Sequence, residues 1–255
     1  MIYLYTDFRY DGPYVGQMKT VLSRLAPDVP VIDIMHDAPF CDPKRAAYLL
    51  AAVAQESQFG DIWLCVVDPG VGGDRRPAVL DCGGVCFVGP DNGLFELIFR
   101  RIEGASLREI IWRPEIMSAT FHGRDLFAPI AARLAKGHQV PSESRPVNGI
   151  LRPDWPDDLQ EVIYFDHFGN AITGVRAENV PLNAEMVVNG RRLLRARTFS
   201  DLPKGGAFLY KNSSGLVEFA VNQGDANTTL GIDVGSEFRR SDIDVFGVAK
   251  WVNSC

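Results

Sequence analysis

Ile62-Trp63-Leu64-Cys65-Val66-Val67 is an unbroken apolar run that stops abruptly at Asp68-Pro69-Gly70. A run this short, bounded by turn residues, suits a strand covered on both faces; a buried helix would need about ten residues or more. Strands of that kind belong to parallel sheets with helices above and below. The neighbouring segments agree. Ile2–Tyr5 is a short apolar run, and Val15, Met18, Leu22 and Leu25 then recur at helical spacing until Pro27 stops them. Val31–Ile34 reads as the next strand, and Pro43 suits the first turn of a helix continuing through Ala46–Val53. Ala78–Asp81 and Val85–Val88 flank Gly83-Gly84 as a hairpin, and Leu94–Arg101 and Asp125–Lys136 read as helices. This alternation predicts an α/β domain with a mainly parallel sheet flanked by helices.

The pattern changes after Lys136. Pro141, Pro146, Pro153 and Pro156 punctuate a polar stretch without periodicity, which reads as a linker. Beyond it, Val162–Phe165, Met186–Val188, Arg192–Leu194, Phe208–Tyr210, Leu216–Val221 and Thr228–Val234 are short and β-like. Asn189-Gly190 is a hairpin signal between two of them. The expected division is an α/β domain over residues 1–140, a linker over 141–158, and a smaller all-β domain, a small barrel, over 159–255.

Charge and composition narrow the function. A net charge of -6 argues against a nucleic-acid partner, which needs a concentrated basic surface. No apolar run approaches the roughly 20 residues of a membrane span. The opening Met-Ile-Tyr-Leu-Tyr-Thr-Asp has neither the basic nor the apolar region of a secretory signal. Cys41, Cys65, Cys82, Cys86 and Cys255 are odd in number and form no CxxC pair, so no disulfide framework is expected. The expectation is a reduced, cytoplasmic protein. No His stands at zinc-ligand spacing from these cysteines, and no metal site is expected.

Polar residues stop apolar strands at four places: Thr6-Asp7-Phe8-Arg9-Tyr10-Asp11, Asp68 through Arg76, Gly89-Pro90-Asp91-Asn92-Gly93, and Thr120-Phe121-His122-Gly123-Arg124-Asp125. In parallel α/β sheets ligands gather at the carboxyl ends of strands, and Asp7 and Asp68 both occupy such ends. Each cluster alone also has a structural reading. Asp-Pro-Gly is turn chemistry, Asp7 or Asp11 can cap a helix, and Pro90-Asp91-Asn92-Gly93 can be a loop into a helix. His122 can be a half-buried structural histidine, and His36, His138 and His167 read as structural or surface residues. Gly70–Gly73 lacks the Lys-Ser/Thr ending of a P-loop and the spacing of a dinucleotide fingerprint. No HExxH, GxSxG or suitable Ser-His-Asp order is present.

Taken together and in order, these clusters are far more specific. With Ile32-Asp33-Ile34 and His36-Asp37, Phe168-Gly169-Asn170, and Asn212-Ser213-Ser214-Gly215 added, the chain resembles the S-adenosyl-L-methionine (SAM) hydrolase family. This family is also called the SAM hydroxide adenosyltransferases, and fluorinase and chlorinase are related to it. The resemblance implies an α/β N-terminal domain with a β-barrel C-terminal domain. It implies a homotrimer whose active sites lie between subunits, with SAM as small-molecule substrate and no cofactor. The implied reaction is attack of water or hydroxide on the adenosyl 5′-carbon, giving adenosine and L-methionine. The implied water-activating triad is Asp68, Arg75 and His122. Asp7 falls at the ribose hydroxyls, Asp11, Asp166 and Ser213 at the methionine part, and Asn170 and Phe199 at the adenine. The chain departs from the family pattern at Arg9, usually Gly, at Cys41, often aromatic, and at Ser214, larger or basic in some relatives. Three other readings compete: a noncatalytic SAM or adenosine sensor, a SAM-dependent halogenase, and a metal-dependent phosphohydrolase.

Overall fold

A computed structural model of the chain describes residues 1–145 and 152–241. Residues 146–151 of the expected linker, and 242–255 at the end of the expected β domain with Cys255, lie outside the described residues. The chain divides into two compact units, Met1–Asp154 and Trp155–Cys255.

The strands of the first unit are β1 (Ile2–Thr6), β2 (Val31–Met35), β3 (Ile62–Val66), β4 (Arg76–Cys82), β5 (Val85–Asp91), β6 (Ser106–Ile110) and β7 (Ser142–Ser144). They form one sheet in the order β2-β1-β3-β5-β4-β6-β7. β2, β1, β3 and β5 run parallel, whereas the β5–β4, β4–β6 and β6–β7 pairs are antiparallel. The helices are α1 (Tyr14–Leu25), α2 (Pro43–Val53), α3 (Glu96–Arg101) and α4 (Ala128–Ala135).

All of β3 is buried, and its alternation divides the core in two. Ile62, Leu64 and Val66 pack with Met18 and Leu22 of α1 and Ile130 and Ala131 of α4. Trp63 and Cys65 point the other way, toward Ala46 and Leu50 of α2 and Ile98 of α3. Each large aliphatic side chain buried this way contributes about 2 kcal/mol. β6 and β7 carried no such signal. Only Leu107 and Ile110 of β6 are buried, and β7, Ser-Glu-Ser inside the expected linker, joins the sheet edge through its backbone.

The second unit contains β8 (Leu159–Phe165), β9 (Ala171–Arg176), β10 (Met186–Val188), β11 (Arg191–Leu193), β12 (Ala207–Lys211), β13 (Leu216–Val221) and β14 (Phe238–Arg240), with a short α-helix, α5 (Ala226–Leu230), between β13 and β14. They form two antiparallel sheets, β12-β13-β9-β8 and β11-β10-β14. Val162, Val188, Leu209, Phe219 and Phe238 belong to one core shared by both sheets. The closure expected of a barrel is not seen. Among the described residues neither sheet is closed, and isolated bridges, Glu161–Glu237 and Arg195–Leu209, join them. Among the described residues no helix is long and apolar enough to cross a membrane.

Thr228–Val234, expected as a strand, is different. Its first residues complete α5. The Asp225 carboxylate accepts the Thr228 N–H at 2.8 Å and so caps the helix. Gly231 at φ +63° then ends it in the left-handed region. Ala226 and Leu230, four residues apart, are the buried pair. The two caps override the β preference of Thr228 and Thr229. Asp225→Ala is therefore expected to cost about 1 kcal/mol, read as a lower urea midpoint, with Asp225→Asn restoring most of the loss.

Candidate active site

β1 and β3 pair in parallel with Thr6 opposite Val66. Asp7 and Asp68 therefore leave neighbouring strands at their carboxyl ends. Asp7 is buried, and its Oδ2 accepts the Cys41 N–H at 3.0 Å. Cys41 turns through the left-handed region at φ +53°, uncommon for a residue with a Cβ. Burial raises the Asp7 carboxyl above its ordinary range, the Cys41 N–H opposes this, and the nearby Asp68 charge adds to the rise.

Asp68 is held by Arg75. The Arg75 Nε–H lies 2.9 Å from both Oδ1 and Oδ2, and Nη2 donates to Oδ2 at 2.5 Å. The same Nη2 lies 2.7 Å from Nδ1 of His122. A guanidinium only donates, so Nδ1 must accept and the ring proton sits on Nε2. Burial, then the Arg75 charge, holds His122 below the usual imidazole range, with Asp68 opposing. The ring is neutral at physiological pH. Arg75 also lies over the Phe127 ring, 5.2 Å from its centroid.

The glycines explain how these segments meet. Gly72 has φ +79°, and a Cβ there would stand 2.5 Å from the Ala119 carbonyl oxygen. The Gly-rich loop thus allows close approach to the segment that delivers His122. That segment enters a π-helical turn, Gly123–Phe127, before α4 begins. In the Pro90-Asp91-Asn92-Gly93 cluster, Asn92 has a structural part: its Nδ2 donates to the Val67 carbonyl at 2.9 Å, steadying the chain just before Asp68. Asp11 is exposed.

In the second unit a cleft of about 570 Å³ is lined by Asp166, Phe168, Asn170, Phe199, Tyr210, Val221, Gln223 and Gly224. Three of the four second-unit candidates, Asp166, Asn170 and Phe199, meet there. Ser213 is exposed and does not line the cleft. Asp166 Oδ1 accepts the N–H groups of Phe168 and Asn170, and Oδ2 accepts from Asn170 Nδ2 at 2.8 Å. Phe199 packs edge-on to Phe208 and Tyr210. The sequence reading missed Tyr210 and the carboxylate behind it. The Tyr210 hydroxyl donates to Glu218 Oε1, and Asn212 Nδ2 donates to Oε2 at 2.8 Å. Burial pushes the Glu218 carboxyl up, and these two bonds oppose it. The available signal was a charged residue inside the apolar run Leu216–Val221. Among the described residues no group of three or more His, Cys, Asp or Glu is placed to hold a metal ion.

Comparisons with known proteins give the same answer over both units. Residues 2–143 match the SAM hydroxide adenosyltransferase N-terminal domain, and residues 160–239 match its C-terminal domain. The chain is 40% identical to a protein of Thermus thermophilus named (R)-S-adenosyl-L-methionine hydrolase, covering 93% of this chain and 98% of the relative. A protein of the same name from Salinispora arenicola is 38% identical, over 92% and 95%. The crystal structure of an uncharacterized conserved protein from Thermotoga maritima aligns with a TM-score of 0.85 at 29% identity, over 94% of this chain and 99% of that one.

The geometry makes one prediction that requires no substrate. Nitrogen-15 NMR of the imidazoles is expected to show His122 as the Nε2–H tautomer, with a titration midpoint below about 6.5. Arg75→Ala should raise that midpoint, because the largest charge that depresses it is removed. A His122 ring doubly protonated at pH 7.5 would contradict the assignment.

Proposed function

This chain belongs to the SAM hydroxide adenosyltransferase family, and on that premise we propose that it is an enzyme that hydrolyses S-adenosyl-L-methionine to adenosine and L-methionine. The names of the relatives specify the (R) form, and the same configuration at sulfur is proposed here. The observation that carries this reading is the Asp68–Arg75–His122 chain of contacts. A protein that only sensed SAM would have no need of such a water-holding group.

The chemistry follows from the charges. The substrate is a sulfonium cation, so its leaving group departs as a neutral thioether and needs no acid. What remains is to place an oxygen nucleophile in line with the carbon–sulfur bond, and positioning of this kind can supply about 7–11 kcal/mol. The open lone pairs of Asp68 accept a hydrogen bond from the water, and the Nε2–H of His122 can donate to its oxygen. As the 5′-carbon–oxygen bond forms, the carbon–sulfur pair returns to sulfur. The surplus proton passes to Asp68 and then to solvent.

Asp7 is assigned to the ribose hydroxyls and Asp11, Asp166 and Ser213 to the methionine end. Asn170 and Phe199 are assigned to the adenine. The Asn170 amide nitrogen is engaged by Asp166, which leaves its amide oxygen to accept from the adenine amino group. The scheme uses no metal and no cofactor. It takes the working form as a cytoplasmic homotrimer, with substrate held by groups from different subunits.

In heavy-oxygen water the label is expected at the 5′ position of adenosine and not in methionine. Asp68→Asn should lower kcat by about a hundredfold or more while still binding SAM. Unlabelled adenosine, or methylthioadenosine as product, would overturn the mechanism.

Halide provides a separate check. The halogenating relatives have Tyr at the position of Asp68. A chloride beside Asp68 would meet a like charge, at a cost of up to about 4 kcal/mol at about 4 Å and an effective dielectric of about 20. Arg75 offsets part of that repulsion, so the decisive difference is that water can donate to Asp68 and chloride cannot. Adenosine should remain the main nucleoside product in high chloride; 5′-chlorodeoxyadenosine as main product would favour the halogenase reading.

A further inference from the structure

The motif Ile32-Asp33-Ile34 with His36-Asp37 has no part in the scheme above, yet His36 is 2% exposed and its contacts converge on one loop. Its Nδ1 meets the Thr6 hydroxyl at 2.7 Å. That oxygen also accepts the Phe8 N–H at 3.3 Å; because the other ring nitrogen faces a carboxylate, the ring proton belongs on Nε2 and the Thr6 hydroxyl donates to Nδ1. Nε2 faces Asp33 Oδ1 at 3.4 Å. Asp33 Oδ2 accepts from Lys19 Nζ at 2.9 Å and from the Tyr10 hydroxyl at 3.3 Å. The Tyr10 ring stands edge-on to the imidazole, 4.8 Å between centroids. The His36 carbonyl accepts the Arg9 N–H at 2.5 Å.

The chain neighbours of Asp7 are thus fastened to His36: Thr6 by its hydroxyl, Phe8 through that hydroxyl, Arg9 by its backbone and Tyr10 by its ring. The loop needs fastening. Arg9 sits at φ +56°, where a residue with a Cβ is disfavoured and glycine is not. A disfavoured conformation persists only when its surroundings over-determine it. A histidine that merely filled the core would not direct ring nitrogen, ring edge and carbonyl at one substrate loop.

We propose that His36, supported by Asp33, is a positioning residue that fixes the Asp7 carboxylate for the ribose hydroxyls by clamping residues 6–10. The role of Asp7 in this statement rests on the hydrolase reading; the clamp itself does not. The test uses the full-length chain with His36→Ala and His36→Asn, measuring SAM hydrolysis and backbone hydrogen exchange together. His36→Ala is expected to raise KM about tenfold with kcat within about twofold. Exchange at residues 7–11 should quicken about tenfold, while exchange in β3 stays unchanged. His36→Asn, which keeps an acceptor for Thr6, should recover part of both effects. Unchanged loop exchange in a folded variant overturns the clamp, and so does a fall in kcat at constant KM or an equal quickening of exchange throughout the unit. If His36→Ala does not fold, Thr6→Val removes the hydroxyl link alone and must quicken the same loop. If the unmodified enzyme forms no adenosine from SAM, the hydrolase reading fails, and loop exchange still decides the clamp.

Discussion

Arg75 brings a guanidinium cation into the site, with 10% of its side chain exposed against an Asp68 side chain at 4%. Buried so far, neither charge is tolerable without the other. The pairing therefore constrains everything that reaches it. The guanidinium fork fixes the plane of the Asp68 carboxylate, and the Nη2 that donates to it permits only an accepting nitrogen at His122. One permanent cation thus fixes a carboxylate orientation, a tautomer and a neutral ring, which are the states a water-orienting site requires before substrate arrives. The loop must fold back from β3 to bring Arg75 onto Asp68, and Gly72 lets it pass against the Ala119 carbonyl. The glycine stretch, which lacks the P-loop pattern, thus serves a close backbone approach.

How much of this could be read beforehand depends on which force formed each part. Apolar burial leaves a periodic trace, so β1, β2, β3, the four helices of the first unit and the two-sided core were visible in the residues. The Asn189-Gly190 turn was visible for a different reason. Both residues adopt positive φ, 45° and 72°, and few other pairs do so cheaply. β6, β7, β9 and β14 were missed as strands because backbone pairing and neighbouring strands hold them more than any apolar pattern of their own. α5 was misread because a cap and a left-handed glycine decide a five-residue helix more than the propensities of two threonines. In the site, the strand-end aspartates were visible because polarity follows apolarity abruptly there. The supporting shell, Glu218 behind Tyr210 and His36 behind Thr6, was not. A buried polar residue is satisfied by partners distant in sequence, and distance in sequence is what a linear reading does not resolve.

The two units solve one problem by different means. The first makes precise positions from rigid strand ends and then fastens an irregular loop to them. The second makes a cleft from side chains on β12 and β13 and from the turns after β8 and β13. In each unit a carboxylate stands behind the candidate site: the half-buried Asp33 behind His36 in the first, and the buried Glu218 behind Tyr210 and Asn212 in the second. Glu218 loses hydration and regains it as hydrogen bonds, so it is costly to alter and fixes the groups that lean on it.

Counting acceptors separates the carboxylates that hold the fold from those left for a ligand. An ionised carboxylate offers about four lone-pair sites. Asp166 accepts three hydrogen bonds from its own turn, which leaves about one site, on Oδ2, for an ammonium. Asp225 accepts from the Thr228 N–H and hydroxyl, as suits a helix cap. Glu218 is engaged on both oxygens. Asp7 is different: it is nearly buried, its carboxyl is raised chiefly by lost hydration, and one side-chain oxygen takes the Cys41 N–H. A carboxylate held in such a place is stabilised when two donors arrive together, and vicinal hydroxyls supply two donors at the right spacing. The same accounting leaves Asp68 with its guanidinium-facing lone pairs taken and the rest open, which suits a single water. In the proposed assignment the ribose and the nucleophile thus go to carboxylates that the fold leaves with open acceptor sites.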